Sequence, residues 1–538
     1  LPLAARDGAG PSPAAAGLAR RIAAFPVLVR ASAAGVAAAA VALLPAAEAA
    51  FVAGFAIVLG LGVPTRGRLA LLGLLATGVC AFGFGALAAV AFAAVALGAA
   101  LAIRPAPEVQ SLGANWMDRA ILGQTYPGRP MTTHHVLDTA APFDRAHLCA
   151  AVEALVRSVP ALRSFVREAP LGVGRFAAGE RWSRIDDLVA YTDVPLELSE
   201  SGWLVRPFDL AREEPFRVLH APRPGGGFQL VFTLHHSVTD GVGALALFDA
   251  LLAYYGAAAG EHGEVPPPLS SRGARLRSLL ARRGARFVVS VVRDDLARVG
   301  RFVDRRASLL ERADARMESL GSLVLDVPLA RWRRLRERAA ELGCTRNDLM
   351  LAALLRAAVR WRREAGMPDE DLRALVPVDL RGELGIGPSL QNHLGVIEAD
   401  FAVSEVASPA LPRIVSARCK AERAPARVLA TPVALAALSV LPPFVLRRFF
   451  RWLDERPSFM YSFLFSHIRV PEGLRVPASV RPQRVYCLST LPRQPGIGLT
   501  VTALPTGVTV ALAYMRPRLS DEGAERLLAR FAAELDEA

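Results

Sequence analysis

From Ala31 to Val63 the only charged residue is Glu48, and from Leu69 to Ile103 there is none. One bilayer span needs about 20 apolar residues, so each run is long for one upright helix and short for two. Basic residues flank the runs at Arg20, Arg21 and Arg30, at Arg66 and Arg68, and at Arg104. Two short helical hairpins, turning near Pro45 and Glu48 and near Gly83 and Gly85, would place all three basic clusters on the cytoplasmic side. Two long tilted spans would leave Arg66 and Arg68 outside. The hairpins satisfy the charge rule better, and either arrangement returns the rest of the chain to the side of the N-terminus. A multi-pass membrane anchor with the following chain facing the cytoplasm is therefore expected. A buried helical hairpin in a soluble protein is the alternative. The apolar region is far too long for a cleaved signal peptide.

The 538 residues exceed one ordinary domain. Net charge is +13, almost all of it arginine, since Lys420 is the sole lysine. Beside a membrane segment, that balance suits anionic lipid or phosphate-bearing ligands. No nucleic-acid motif accompanies it, so nucleic acid is not an expected partner. Cys80, Cys149, Cys344, Cys419 and Cys487 form no CxxC pair, which argues against a disulfide framework and a zinc site.

Beyond Pro105 the pattern becomes that of a globular α/β chain. Met131–Ala140 reads as a strand, and Arg145–Val166 as a helix ending near Pro160. Phe228–His236 reads as a buried strand after the turn signal PRPGGG, and Gly241–Tyr255 as a helix. An arginine-rich amphipathic stretch from Arg272 to about Arg316 reads as a crossover linker, lying on lipid or presenting a solvated face. A second α/β unit follows, with a helix at Thr345–Gly366 and strand-and-loop elements at Val376–Glu383 and Gln391–Phe401. Gly496–Met515 reads as a hairpin turning at Pro505–Gly507, and Ser520 is placed to cap the last helix. Leu429–Trp452 is apolar, broken by proline, then basic and aromatic. That suits a membrane interface, a lipid-accepting channel or a plain core helix.

The stretch FTLHHSVTDGVG, Phe232–Gly243, gathers His235, His236, Asp240 and Gly241 at the end of the strand. Adjacent strand residues point to opposite faces, so the two histidines cannot easily grip one metal ion. No other ligands lie at metal spacing, and no metal is expected. Ser237 is beside His236, but adjacency does not give the geometry of a nucleophilic triad, and there is no GxSxG elbow. A general base fits better. One imidazole packs in the core and the other meets a cleft at the strand end, where a neutral ring can take a proton. Asp240 would steady the loop, and Gly241 would allow close approach or unusual dihedrals. On this chemistry alone, two packed histidines before a turn remain an equal reading.

The motif HHSVTDG resembles the HHxxxDG signature of the condensation-domain and CoA-dependent acyltransferase superfamily. VPALRSF and PFDLAREEPFRV resemble its segments after the first helix and before the histidine strand, and TRNDLMLAALLRAAVRW, VPVDLR and QNHLG resemble segments of its wax ester synthase/diacylglycerol acyltransferase branch. FSHIRVP, Phe465–Pro471, stands where that branch has Ser-Asn-Val-Pro. The resemblance runs from about Leu112 to the C-terminus. It implies two chloramphenicol-acetyltransferase-like lobes forming an α/β (α+β) pseudo-dimer with a tunnel between them. The expected division is a tail at 1–21, a helical membrane segment at 22–105, a first lobe at 112–262, a linker at 263–320 and a second lobe at 321–538.

It further implies O-acyl transfer, with His236 taking the acceptor hydroxyl proton while the oxygen attacks an acyl thioester. No cofactor stays bound, and acyl-CoA or an acyl carrier protein thioester is the co-substrate. Membrane lipids and a hydrophobic alcohol are the other partners. Asp240 would be structural and paired with Arg381. His235, Gly241, Asn347 and Asp348 would support the fold, and Asn392 and Ser466 would lie at the tunnel. His393 and His467 depart from the branch, which points to an unusual acceptor pocket. HHVLD at His134–Asp138 is a partial look-alike without the glycine and is read as the first strand. The alternatives are an amide- or ester-forming condensation enzyme on carrier-bound substrates, or a non-catalytic lipid-binding relative.

Overall fold

The computed structural model describes residues 116–537 apart from 127–128, 170–171, 178–182, 262–279, 281, 303–305, 388, 439–442, 456–459, 471–472, 490 and 492–494. The expected tail and membrane segment, residues 1–105, lie outside the described residues. Among the described residues, the helix long and apolar enough to cross a membrane is Gly241–Ala258, and it is largely buried in the protein.

Two mixed sheets form the frame. The strands of the first are β1 (Thr132–Thr139), β4 (Val189–Tyr191), β5 (Phe216–Pro222), β6 (Phe228–His235) and β11 (Pro482–Leu488), in the order β11-β1-β6-β5-β4. The second contains β7 (Ser319–Val327), β8 (Leu372–Asp379), β9 (Leu394–Phe401), β10 (Phe463–Arg469), β12 (Ile497–Leu504) and β13 (Gly507–Arg516), in the order β7-β13-β12-β10-β8-β9. A separate ribbon pairs β2 (Ser164–Ala169) with β3 (Gly172–Ala177). β11 comes from the distal half of the chain yet pairs antiparallel with β1, so the two halves share a sheet.

Alternation along β1 and β6 decides what each face meets. Leu137, Leu230, Phe232 and Leu234 pack under α2 (Arg145–Ser158) and α3 (Gly241–Ala258). Val136 and Val231 face the other way, against Ala511, Ala513 and Met515 of β13. The second sheet is covered by α5 (Leu329–Glu341), α6 (Arg346–Glu364), α7 (Leu411–Glu422) and α10 (Asp521–Glu537). Helix starts follow local chemistry. Asp144 accepts from the His147 N–H, Thr345 and Asp348 form a reciprocal capping box, and Ser520 accepts from the Gly523 N–H.

Two stretches that the sequence offered to lipid are packed on protein. In the linker, α4 (Ala285–Phe302) buries Val288, Val291 and Val292, and it lies against Pro425–Val428 and α8 (Ala430–Leu438). Its Asp295 and Arg298 join Glu398 and Tyr461 in a buried network on that face. Along 429–452, α8 and α9 (Pro443–Glu455) pack on α1 (Trp116–Gln124), burying Val433, Ala434, Leu446 and Phe450. The plain core reading therefore describes that face.

Candidate active site

β6 ends at His235, and α3 begins at Gly241 with Asp240 as its N-cap. Between them the backbone is held from three directions. The His235 N–H donates to the Pro215 carbonyl and the His236 N–H to that of Met131, both at 2.8 Å. The His236 carbonyl accepts from Asn392 Nδ2 at 2.8 Å. Met131 has a φ of 49°, a left-handed conformation uncommon for a side-chain-bearing residue. It is kept at the point where its carbonyl anchors His236.

The doublet divides as strand geometry requires. His235 is fully buried. Its Nδ1 accepts from the Ser237 N–H at 3.2 Å, with the Ser237 hydroxyl at 2.7 Å. The proton of the neutral ring is therefore on Nε2, which donates to Thr125 Oγ1 at 3.1 Å. Thr125 in turn donates to the Ile121 carbonyl. Both ring nitrogens are engaged, so His235 is a packed residue. His236 is only half-buried, and its Nδ1 has no hydrogen-bond partner among the described residues. Among the described residues no hydrogen bond at Nδ1 fixes its tautomer.

Asp240 is completely buried and accepts four hydrogen bonds: from the Gly243 N–H at 3.1 Å, the His393 N–H at 2.9 Å, and Arg381 Nη1 and Nη2 at 2.9 and 3.0 Å. Arg381 also reaches Asp379 and the Ser389 and Gln391 carbonyls. Burial opposes the Arg381 charge, but Asp240 and Asp379 outweigh it and hold the guanidinium above its ordinary range. The carboxylate is saturated and acts as a clasp between α3 and the loop after β8. It has no free lone pair aimed at a substrate.

Gly241 opens α3 outside the left-handed region, so close approach is what its lack of a side chain permits. A Cβ there would lie 3.2 Å from Ile468 Cδ1 of β10. Gly243 is tighter: a Cβ would lie 1.9 Å from Thr239 Oγ1. Ile468 shares a face of β10 with Ser466, so Ser466 is on the side turned toward the first lobe, half-buried and in register with Thr500. His467 points the other way, edge-on to Trp332 of α5, and burial brings it down to about 4. It lies on the side of β10 away from Ile468 and Gly241. His393 is buried beside Arg381, and burial followed by that charge lowers its pKa.

Asn392 joins both lobes. Its Nδ2 donates to Asp118 Oδ1 at 2.7 Å as well as to the His236 carbonyl. Asp118 lies in the first turn of α1 and is buried. Sequence reasoning did not single out Asp118, Thr125 or Gly243. The acid before the α1 apolar stripe was a weak signal for the first, and the G-x-G spacing for the last. Asp348 lies elsewhere: it caps α6, and its charge helps burial push the Cys419 thiol up to about 12. Asn347 is half-buried with no partner for Oδ1 among the described residues, and nothing in the structure assigns it a task. No group of histidine, cysteine and carboxylate side chains among the described residues could hold a metal ion.

No family model matches the chain. It is 28% identical over 270 residues, 49% of its length, to an uncharacterized protein of Mycobacterium tuberculosis H37Rv, and it spans 61% of that relative. Among solved structures, the first condensation domain of the calcium-dependent antibiotic synthetase, bound to a substrate analogue, superposes with a TM-score of 0.54 at 20% identity, covering 79% of this chain and 95% of that one. Polyketide synthase associated protein 5 from Mycobacterium tuberculosis gives 0.53 at 18% over 80% and 98%. A wax ester synthase/diacylglycerol acyltransferase from Marinobacter aquaeolei VT8 gives 0.52 at 16% over 79% and 98%. The two-sheet α/β architecture of this chain is the fold shared by condensation domains and wax ester synthases.

Proposed function

We propose that the chain transfers an acyl group from a thioester, acyl-CoA or an acyl carrier protein, to the hydroxyl of a hydrophobic alcohol, with His236 as general base. One observation carries the reading. His236 has its backbone held on both sides and its ring left without a partner at Nδ1 among the described residues, while the His235 ring nitrogens and both Asp240 carboxylate oxygens are engaged. A ring so held and so free is suited to accept a proton. The unprotonated nitrogen takes the acceptor O–H proton and the oxygen attacks the thioester carbon. The carbonyl electron pair moves to oxygen, and collapse breaks the C–S bond. The thiolate leaves with the proton from His236, and no acyl-enzyme forms. Residues 22–105 would anchor the chain to a bilayer in which donor or acceptor dissolves, with the lobes in the cytoplasm.

The test is acyl transfer by membranes carrying the full chain, supplied with palmitoyl-CoA and hexadecanol. His236→Ala is expected to lower turnover by about 10²- to 10⁴-fold with the unfolding midpoint unchanged. Equal acylation by the variant would remove the base assignment. A lipid profile with and without the protein then names the product and separates ester from amide.

A further inference from the structure

The rim of the second sheet gathers positive charge with no carboxylate to match it. Arg346 opens α6, and its guanidinium lies over the Trp332 ring of α5, 4.3 Å from the centroid. The same tryptophan meets the His467 imidazole edge-on at 6.1 Å. Arg336 is one helical turn beyond Trp332 on the same side of α5. Arg469 shares a face of β10 with His467. Arg346, Arg336 and Arg469 therefore collect around one tryptophan. Burial, followed by the charges of Arg469 and Arg336, holds the Arg346 guanidinium below its ordinary range. Elsewhere Arg381, Arg373 and Arg129 each meet a carboxylate, Asp240, Asp400 and Asp454 in turn. Among the described residues the rim arginines form no ion pair, and the buried His467 Nε2 has no hydrogen-bond partner. Like charges gathered without a counter-charge repel, and a bound polyanion would relieve that repulsion.

The group lies at the working end of the sheet. α6 packs over the second sheet and joins the start of β8 through residues 365–371, so its first turn lies toward the end where β8 finishes at Asp379. β10 runs parallel to β8 and finishes there at Arg469. At that end Arg381 clasps Asp240, and Ile468 packs against Gly241. Arg336 and Arg469 are exposed and Arg346 is half-buried, so the group is open to a ligand from solvent.

We propose that this arginine group binds the phosphates of coenzyme A and docks the thioester donor at the rim, with its pantetheine arm reaching toward the histidine turn. This rests on the thioester reading above and narrows the donor. Coenzyme A carries a diphosphate and a ribose phosphate, enough anionic oxygens to engage all of the rim guanidinium groups. A carrier-bound pantetheine arm offers only a phosphodiester. Guanidinium forks suit phosphate oxygens, which they bind in pairs.

The experiment titrates coenzyme A, dephospho-coenzyme A and pantetheine into the full chain in neutral detergent by calorimetry. Affinity should fall in that order, and coenzyme A binding should weaken with salt. Arg346→Gln should weaken coenzyme A binding about tenfold, and Arg336→Gln and Arg469→Gln about threefold each. Pantetheine binding should not change. In the palmitoyl-CoA and hexadecanol assay the same variants should raise KM by similar factors and leave kcat within about twofold. Arg338→Gln removes a guanidinium that pairs with Glu341, and this charge control should change neither readout. Equal coenzyme A binding by wild type and the combined Arg336, Arg346 and Arg469 variant would overturn the proposal. So would a loss seen only with anionic lipid vesicles, which would assign the arginines to headgroups. His236→Ala should bind coenzyme A as wild type does. Failure of the base reading thus appears in turnover, and failure of the docking site in binding.

Discussion

On β1, His134 and His135 occupy the middle of a strand paired on both sides, with β11 and with β6. On β6, His235 and His236 occupy the last rungs before the turn into α3. The residue types are the same, but the environments differ. His134 is bracketed by Thr132 and Thr233 at 3.2 and 3.0 Å, and burial followed by the Arg217 charge takes it down to about 3. At the strand end the ladder stops and the chain turns, so His236 is half-buried while its neighbours are sealed. An imidazole is thus made inert or available by where the ladder ends. The clasp of Asp240 on Arg381 decides where the second doublet ends.

Breaking that clasp should give the largest effect on folding. Arg381→Met would leave Asp240 buried with only the Gly243 and His393 N–H groups. Removing one partner of a buried ion pair costs roughly 3–5 kcal/mol. The urea midpoint should fall accordingly, and Asp240→Asn in the same chain should recover part of the loss. A loss below about 1 kcal/mol would mean that the turn is held by its backbone bonds alone.

How much of this was legible before the structure can be judged from the same elements. The strand, turn and helix around HHSVTDG follow local pattern: alternation to His235, an aspartate cap, then an apolar helix. The Asp240–Arg381 pair was reached through the resemblance of VPVDLR, not through spacing. Asp118 was not reached, because 274 positions separate it from Asn392 and no periodicity encodes that distance. β11 was missed for the same kind of reason, since a strand that pairs with a segment from the other half of the chain carries no local mark of its partner. The Asn-Asp pair at the start of α6 drew the expectation of a structural role, and Asp348 has one in the capping box with Thr345. The apolar faces of α4 and α8 carry the same composition whether they meet lipid or another helix, and only the packing separates the two.

The first doublet should respond to acid, with a sign that follows from its depressed pKa. His134 and His135 stand at about 3 when folded, against about 6.5 in an unfolded chain. Between those values the unfolded state binds more protons, so stability rises with pH and is lost as pH falls below about 6.5. Each buried ring contributes on the order of 1 kcal/mol per pH unit in that window. Urea midpoints at pH 7 and pH 5 should therefore differ, and His135→Phe should flatten the difference. An unchanged slope in that variant would place the acid sensitivity elsewhere.

The smallest effect tests the other half of the comparison, that His235 is sealed and His236 is not. Thr125→Val keeps the shape of the side chain and removes the acceptor of the His235 Nε2–H. The Ser237 N–H still holds Nδ1, so the tautomer is unchanged and one hydrogen bond of the ring is removed. That should cost about 1 kcal/mol. Turnover should change less than threefold, because His235 touches no reacting atom. Urea denaturation beside the transfer assay separates the two readouts. A tenfold loss of turnover without loss of stability would show that the first histidine of the motif also acts in the reaction, and the division of labour within the doublet would then be wrong.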